Sequence, residues 1–262
     1  MSRLLLTVDF DGTVVRGDAP VRCYARLVAE AMRAGAAESF LDAVGHFLAH
    51  GAAAAADLDD PAQAAALRGA MDAWEAVRDL AACHGVPPQA VDDAFTRCRD
   101  RMVAPSCEVG LVLPLMDALA GLRPRARIIL VTNSPQASML PLLDRLGIAS
   151  SFDDIVTGAR KPGGLRRLVQ CRLAADAPGQ PWRLFSLGDH YRNDIEPAIQ
   201  AGAAAGYIDR FGRADGPATA RAARAEDLLP ALRAWADDPA AAARPPAQHP
   251  ADRPDRTPER GP

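Results

Sequence analysis

Two aspartates separated by a single residue follow a short apolar run near the start of the chain. Residues 4–8, Leu-Leu-Leu-Thr-Val, predict a central parallel strand that is buried on both faces. Asp9 and Asp11 come directly after it, at the carboxyl end where open α/β sheets bind their ligands. Two acids this close repel each other unless a cation, a shared proton or hydrogen bonds relieve them. The pattern therefore favours a functional site over a solvated strand terminus.

Three more polar clusters follow predicted strands at residues 127–131, 155–157 and 183–187. They are Thr132-Asn133, Lys161, and Gly188-Asp189 with Asn193-Asp194. If the four clusters share one edge of a parallel sheet, the facing acids favour a hard divalent cation, and oxygen ligands select Mg²⁺. A lysine and a hydroxyl beside the metal leave room for an anion with several oxygens, such as phosphate. One aspartate could then attack phosphorus while another serves as acid and then base.

Lys161 is the only lysine in a chain whose other basic side chains, histidine apart, are all arginines. Lysine carries a compact charge, whereas arginine presents a flat fork. A position that escapes so strong a bias is expected to need that point charge.

The elements around these residues predict an α/β fold, a doubly wound parallel sheet with an inserted α-helical cap. Strands are expected at the four positions above and at 205–208, with helices between them. Residues 17–107 contain no strand pattern and predict helices at 20–35, 38–50, 61–84 and 88–102. We expect a core domain of residues 1–16 and 108–236, a cap at 17–107 that covers the site as a lid, and a disordered tail at 237–262.

Bulk properties narrow the function further. The 262 residues are 49% hydrophobic with a formal net charge of −3, so no basic surplus indicates nucleic acid or an anionic membrane as a partner. No apolar segment has the length of a membrane helix or the pattern of a signal peptide. The five scattered cysteines favour reduced thiols and a cytoplasmic setting. No strand is followed by the G-x-G-x-x-G pattern of a dinucleotide-binding protein.

The polar clusters resemble the four ordered motifs of the haloacid dehalogenase (HAD) superfamily. The matching residues are Asp9-Phe10-Asp11-Gly12-Thr13, Thr132, Lys161-Pro162 and Gly188-Asp189-x₄-Asp194. Each motif is weak alone, but their order and their places at strand ends make the set specific. The resemblance covers residues 1–16 and 108–210, and the insert resembles the helical cap type of that superfamily.

The resemblance implies a role for each motif residue. Asp9 would be the nucleophile that forms an aspartyl-phosphate, and Asp11 would start protonated and act as acid and then base. Phosphoryl oxygens would be bound by Thr132, Asn133 and Lys161. A Mg²⁺ cofactor would be held by Asp9, the backbone carbonyl of Asp11, and Asp189, with Asp194 nearby or acting through water. Gly12 and Asn193 would lie just outside the ligands, and Asn193 would orient Asp194.

The resemblance also separates branches of the superfamily. Asp11 favours phosphoryl transfer, because dehalogenating members lack this second aspartate. The insert contains no lysine, which excludes the Schiff-base chemistry of phosphonate-cleaving members. We expect a Mg²⁺-dependent phosphatase acting on a small phosphorylated metabolite, of unknown oligomeric state. A phosphomutase and a non-catalytic regulatory protein that binds phosphate and Mg²⁺ are the alternatives.

Two expectations concern residues beside the motifs. His190-Tyr191 departs from the family pattern, in which a small residue commonly follows Asp189; ordinary packing is favoured over a narrowed metal pocket or a contact with substrate. The large aromatic side chains of the insert are expected to form the interior of the cap. They are Phe40, Phe47, Trp74 and Phe95.

Overall fold

The structure, a computed structural model, describes residues 3–104, 107–174 and 182–242. Its strands are β1 (Arg3–Val8), β2 (Val15–Arg16), β3 (Gly110–Leu111), β4 (Ala126–Val131), β5 (Asp154–Val156), β6 (Trp182–Gly188), β7 (Ala204–Ile208) and β8 (Ala220–Ala222). Six of them form one parallel sheet in the order β5-β4-β1-β6-β7-β8. The predicted α/β fold is therefore confirmed.

The helices lie between these strands and after β8. They are α1 (Ala19–Ala29), α2 (Ala34–His50), α3 (Pro61–Gly69), α4 (Ala73–Cys83), α5 (Pro88–Val103), α6 (Leu113–Leu122), α7 (Gln136–Leu146), α8 (Gly163–Ala174), α9 (Glu196–Gln200), α10 (Leu229–Asp237) and α11 (Pro239–Ala242). Among the described residues, none of them is both long and apolar enough to cross a membrane.

Strand β1 lies at the centre of the sheet, paired with β4 on one side and β6 on the other. Leu6 and Val8 belong to one buried apolar cluster, and Leu5 belongs to the second. All three side chains are fully buried, because alternate residues of a strand point to opposite faces and helices cover both faces. This geometry fixes Asp9 at the centre of the carboxyl edge.

The helical insertion leaves the sheet after β1 and contains helices α1 to α5, which we call the cap helices. It was predicted to include one helix over residues 61–84, and this prediction was wrong, because Asp72 interrupts it. The Asp72 carboxylate accepts a 2.7 Å hydrogen bond from the backbone N–H of Glu75 and so begins α4 as its N-cap. That the insertion forms a separate domain remains a prediction.

Three smaller differences concern local sequence. Proline inside a helix favours a kink or an early break, but α7 continues through Pro141 with Leu142 and Leu143 fully buried. Strand β8 was not predicted, because its sequence Ala-Arg-Ala has no apolar run. Part of the tail that was predicted to be disordered is helical in α11, while residues 243–262 lie outside the described residues.

The loop after β7 fastens the cap helices to the sheet. Arg210 donates a 3.0 Å hydrogen bond to the carbonyl of Leu48 in α2, and Arg213 donates a 2.8 Å hydrogen bond to that of Ala70, directly after α3. Cations stabilise the exposed carbonyls at helix C-termini. The ring of Phe211 packs 5.4 Å from that of Phe47. These contacts hold the cap helices close to the carboxyl edge of the sheet.

Candidate active site

A lysine and two aspartates form the centre of the site. Nζ of Lys161 lies 2.6 Å from Oδ1 of Asp9 and 2.6 Å from Oδ1 of Asp194. The second oxygen of Asp9 accepts a 3.2 Å hydrogen bond from the Thr13 hydroxyl. All three members of the ion-pair cluster are more than 90% buried as side chains, so their attraction is little screened by water. The structure thus brings together residues that are far apart in the sequence.

Three carboxylates could hold a divalent cation. One oxygen each from Asp9, Asp189 and Asp194 lies within 4.8 Å of the other two. No described residue donates a hydrogen bond to Asp189. Its carboxylate lies against the backbone of Gly12, where a Cβ would come within 1.9 Å of Oδ2. An all-oxygen donor set of this kind fits Mg²⁺. These three predicted ligands are placed where they could serve, and the backbone carbonyl of Asp11 as a ligand remains a prediction.

Burial dominates the electrostatics of these acids. It raises the pKa of Asp9 to about 7, an effect that Lys161 only partly offsets. Burial, together with the neighbouring charge of Asp9, also raises the pKa of Asp189 well above its usual range. Three acids around one lysine leave an excess of negative charge, which a bound cation would neutralise.

A chain of buried hydroxyl groups positions Asp194. Thr7 in β1 donates a 3.0 Å hydrogen bond to Ser186 in β6, and Ser186 donates a 2.6 Å bond to the backbone carbonyl of Asp194. Residues Tyr191–Ile195 form a π-helical turn, a conformation frequent at functional sites. A Cβ at Gly188 would lie 2.4 Å from that of Asp194, so only glycine fits between β6 and this acid.

The loop after β4 supplies the other wall. Thr132, Asn133 and Ser134 line the same cavity, of about 300 Å³, as Asp9 and Lys161. The side-chain oxygen of Asn133 accepts a 2.7 Å hydrogen bond from the backbone N–H of Lys161. The observed role of Asn133 is thus to tie the two loops together, while its predicted contact with phosphate remains a prediction, as does that of Thr132.

The carboxylate of Asp11 is held by an arginine of the cap helices and by a serine hydroxyl. Nη1 of Arg99, in α5, lies 2.7 Å and 2.9 Å from its two oxygens, and the hydroxyl of Ser134 donates a third hydrogen bond at 3.1 Å. The Arg99 side chain is 1% exposed. The described side-chain hydrogen bonds to this carboxylate therefore come from Arg99 and Ser134, while its protonation at the start of the reaction remains a prediction. Sequence reasoning missed Arg99, whose position on the apolar side of α5 was the available signal.

His190 forms a second link between sheet and cap helices. Its Nε2 lies 3.2 Å from Oε1 of Glu75 in α4. Burial alone would raise the pKa of Glu75, but the neighbouring His190 imidazole and a hydrogen bond from the backbone N–H of Met71 lower it to about 2. Tyr191, in contrast, packs against Tyr207 inside the core. The described hydrogen bonds to the Asp194 carboxylate come from Lys161 and the backbone N–H of His190, not from the predicted Asn193.

The aromatic residues of the cap helices divide into two groups. Phe40 and Phe47 are fully buried, as predicted for the interior of the cap. Trp74 and Phe95 are half-buried and line the cavity that contains Asp9 and Lys161, together with Tyr24. Their assignment to the cap interior alone was therefore incomplete, because a helix face that packs inward can also border a cavity.

Comparison with known proteins agrees with this geometry. The sequence profile of the haloacid dehalogenase-like hydrolases matches residues 5–202. The chain belongs to this family of hydrolases. A search of curated protein sequences gave no match.

Solved structures show the same fold. The HAD-hydrolase YfnB from Bacillus subtilis, solved bound to magnesium, is similar with a TM-score of 0.55 and 17% identity over 88% of this chain and 98% of its own. A predicted phosphoglycolate phosphatase from Haemophilus somnus 129pt is similar with a TM-score of 0.53 and 16% identity over 87% of this chain and 97% of its own. A protein from Lactobacillus plantarum, also described as a phosphoglycolate phosphatase, has a TM-score of 0.53 and 15% identity over 88% of this chain and 99% of its own.

Proposed function

We propose that this protein is a Mg²⁺-dependent phosphomonoester hydrolase that acts through an aspartyl-phosphate on Asp9. The observation that carries the proposal is the position of Asp9 between Lys161 and two further acids, with Asp11 lining the same cavity. A nucleophile, a cation for phosphoryl oxygens and a proton carrier are the groups that phosphoryl transfer requires.

In the first step, an oxygen of Asp9 attacks phosphorus, and the bond between phosphorus and the leaving oxygen breaks. Lys161 stabilises the negative charge on the phosphoryl oxygens. Asp9, Asp189 and Asp194, with the backbone carbonyl of Asp11, would hold a Mg²⁺ ion, whose chemistry is to neutralise charge on the phosphoryl group. That YfnB was solved with bound magnesium supports this choice of cation.

In the second step, water attacks phosphorus, the aspartyl-phosphate bond breaks, and Asp9 is regenerated. Arg99 holds the carboxylate of Asp11, which would take a proton from this water. In the first step, Asp11 would give a proton to the leaving oxygen.

The test measures phosphate release from 4-nitrophenyl phosphate in Mg²⁺ and in EDTA, for the wild type and Asp9→Asn. We expect turnover that needs Mg²⁺ and that falls by about 10³-fold or more in the variant. Asp144→Asn, which changes an exposed acid in α7, is the matched control and should retain activity. Turnover that survives Asp9→Asn would exclude the mechanism. Chloride release from a 2-haloacid would favour a dehalogenase instead.

A further inference from the structure

The cap side of the cavity has an aromatic wall. The rings of Tyr24, Trp74 and Phe95, from α1, α4 and α5, pack with centroids 5.5 to 5.7 Å apart. They line the same cavity as Asp9 and Lys161, so a leaving group attached to phosphorus there would lie within reach of them. At about 300 Å³ the cavity is at the small end of ligand pockets, and it fits a single ring or a short chain beside the phosphate.

Four charged side chains of the cap helices line this cavity, and most are already paired. Glu75 contacts His190, and Arg78 lies 3.5 Å from Glu75 and 3.2 Å from Asp79. Asp72 accepts the N-capping hydrogen bond of α4. Within the described parts of the chain, the carboxylate of Asp92 has no hydrogen bond or ion pair. The unpaired charge of this wall is therefore negative.

Asp92 and Phe95 are three residues apart in α5 and lie on the same side of the helix. A flat group that packs on Phe95 can thus place an attached charge beside Asp92. The guanidinium of Arg99 cannot offset this carboxylate for a substrate, because it is buried and bound to Asp11.

We propose that this wall binds the leaving group and selects phosphate esters of small aromatic or apolar alcohols that carry an amine. A protonated amine would pair with Asp92 and interact with the aromatic faces. A second carboxylate or phosphate would be repelled, which distinguishes this chain from the phosphoglycolate specificity in the names of two similar structures. The inference rests on the proposed function and names its substrate class.

The test compares three phosphate esters with the same ring and different terminal charge: 4-(2-aminoethyl)phenyl, 4-(2-carboxyethyl)phenyl and 4-ethylphenyl phosphate. For the wild type we expect kcat/KM to favour the amine over the acid by about tenfold. This corresponds to one attraction gained and one repulsion avoided at an exposed carboxylate. Asp92→Asn should reduce this ratio to about two, and Asp92→Lys should invert it.

Asp93→Asn is the matched control, because Asp93 is the next residue, is exposed, and pairs with Gln89 at 2.9 Å instead of lining the cavity. It should leave the ratio unchanged. Equal kcat/KM for amine and acid, a preference for the acid, or a ratio that Asp92→Asn does not alter would overturn the inference.

A binding measurement separates this inference from the proposed function. Calorimetric titration with the product alcohols, 4-(2-aminoethyl)phenol and 3-(4-hydroxyphenyl)propanoate, reports the charge preference without turnover. An amine preference that disappears in Asp92→Asn supports the wall as an amine subsite even if no ester is hydrolysed. Hydrolysis of 4-ethylphenyl phosphate without any charge preference in either assay supports the phosphatase and excludes the subsite.

Discussion

The carboxyl edge of the sheet and the facing wall of cap helices form one cavity, but they are encoded differently. At the sheet edge, Asp9, Thr132 and Asp189 each follow a buried strand directly, so local sequence places them. On the cap side, Trp74 and Glu75 lie within α4, and Arg99 lies within α5. Their contact with the site depends on how the helices pack.

Helix α5 shows the difference within a few residues. Arg97 and Arg99 are separated by one residue in the sequence Arg-Cys-Arg-Asp-Arg. The Arg97 side chain is 50% exposed and pairs with Glu30, whereas Arg99 is 1% exposed and binds Asp11. Residue type alone does not distinguish a solvated arginine from one that contacts the proposed catalytic acid. Helical phase does, because Arg99 lies on the buried side with Cys98 and Met102.

Replacement of Lys161 by Met tests the sheet edge and should have the largest effect. It removes the cation between Asp9 and Asp194, so we expect phosphate release to fall by about 10³-fold. Arg166→Met, which changes an exposed position of α8, should retain most activity. Steady-state kinetics measures both variants, with circular dichroism to verify folding. Comparable activity in the two variants would contradict the assignment of Lys161.

Replacement of Arg99 by Met tests the cap side. Arg99 holds Asp11 but does not line the cavity, so we expect kcat to fall by about 30-fold with little change in KM. Arg99→Lys should restore part of kcat. The control is Arg97→Met, whose exposed ion pair should matter little. A change in KM alone, or equal losses for the two methionine variants, would show that Arg99 does not act through Asp11.

Replacement of Glu75 by Gln tests the link between the cap helices and the sheet. It removes the charged partner of His190, so the free energy of unfolding in urea should fall by about 2 kcal/mol at pH 6. Asp79→Asn changes a more exposed acid on the same helix, and its effect should stay within roughly 0.5 kcal/mol. Similar losses in both variants would mean that the His190 contact contributes no more than a surface pair.

The pH dependence of stabilisation by Mg²⁺ gives the smallest expected effect. Burial raises the pKa of Asp9 to about 7 in the folded protein without the cation. Protonated Asp9 therefore adds to the free energy of unfolding below pH 4, and this stabilisation is lost as pH rises through 7. Cation binding needs the ionised acids, so the stabilisation should grow over the same interval, by about 1.4 kcal/mol per pH unit for each proton released.

Thermal melts with and without MgCl₂ at pH 5.5 and pH 8 measure this change. The increase in Tm should be larger at pH 8 by roughly 4–8 °C, which corresponds to about 2 kcal/mol, and Asp9→Asn should reduce the difference. An equal increase at both pH values would show that the protons on these acids do not compete with the cation.

The sequence predicted the sheet well because each central strand is a continuous apolar run followed by a polar cluster. It predicted the cap helices less well. Ala70 and Met71 favour a helix, and the break depends on Asp72 capping α4. Asp72 and Glu75 are three residues apart, the spacing of an N-cap and the third helical position, and this spacing indicates that a new helix begins there. The pairing of Arg99 with Asp11 joins residues 88 apart, and no local pattern specifies it.

The short ribbon of β2 and β3 brings the two ends of the insertion next to each other. Val15 pairs with Leu111 and Arg16 with Gly110, so the chain leaves the sheet and returns to it through adjacent antiparallel strands. A two-residue turn can join such strands without changing their register. The segment between them could therefore be exchanged for another insert, or for a simple hairpin turn, while Asp9 and the other strand-end residues keep their places. The wall proposed to select the substrate would then lie on a segment whose two ends are adjacent in space.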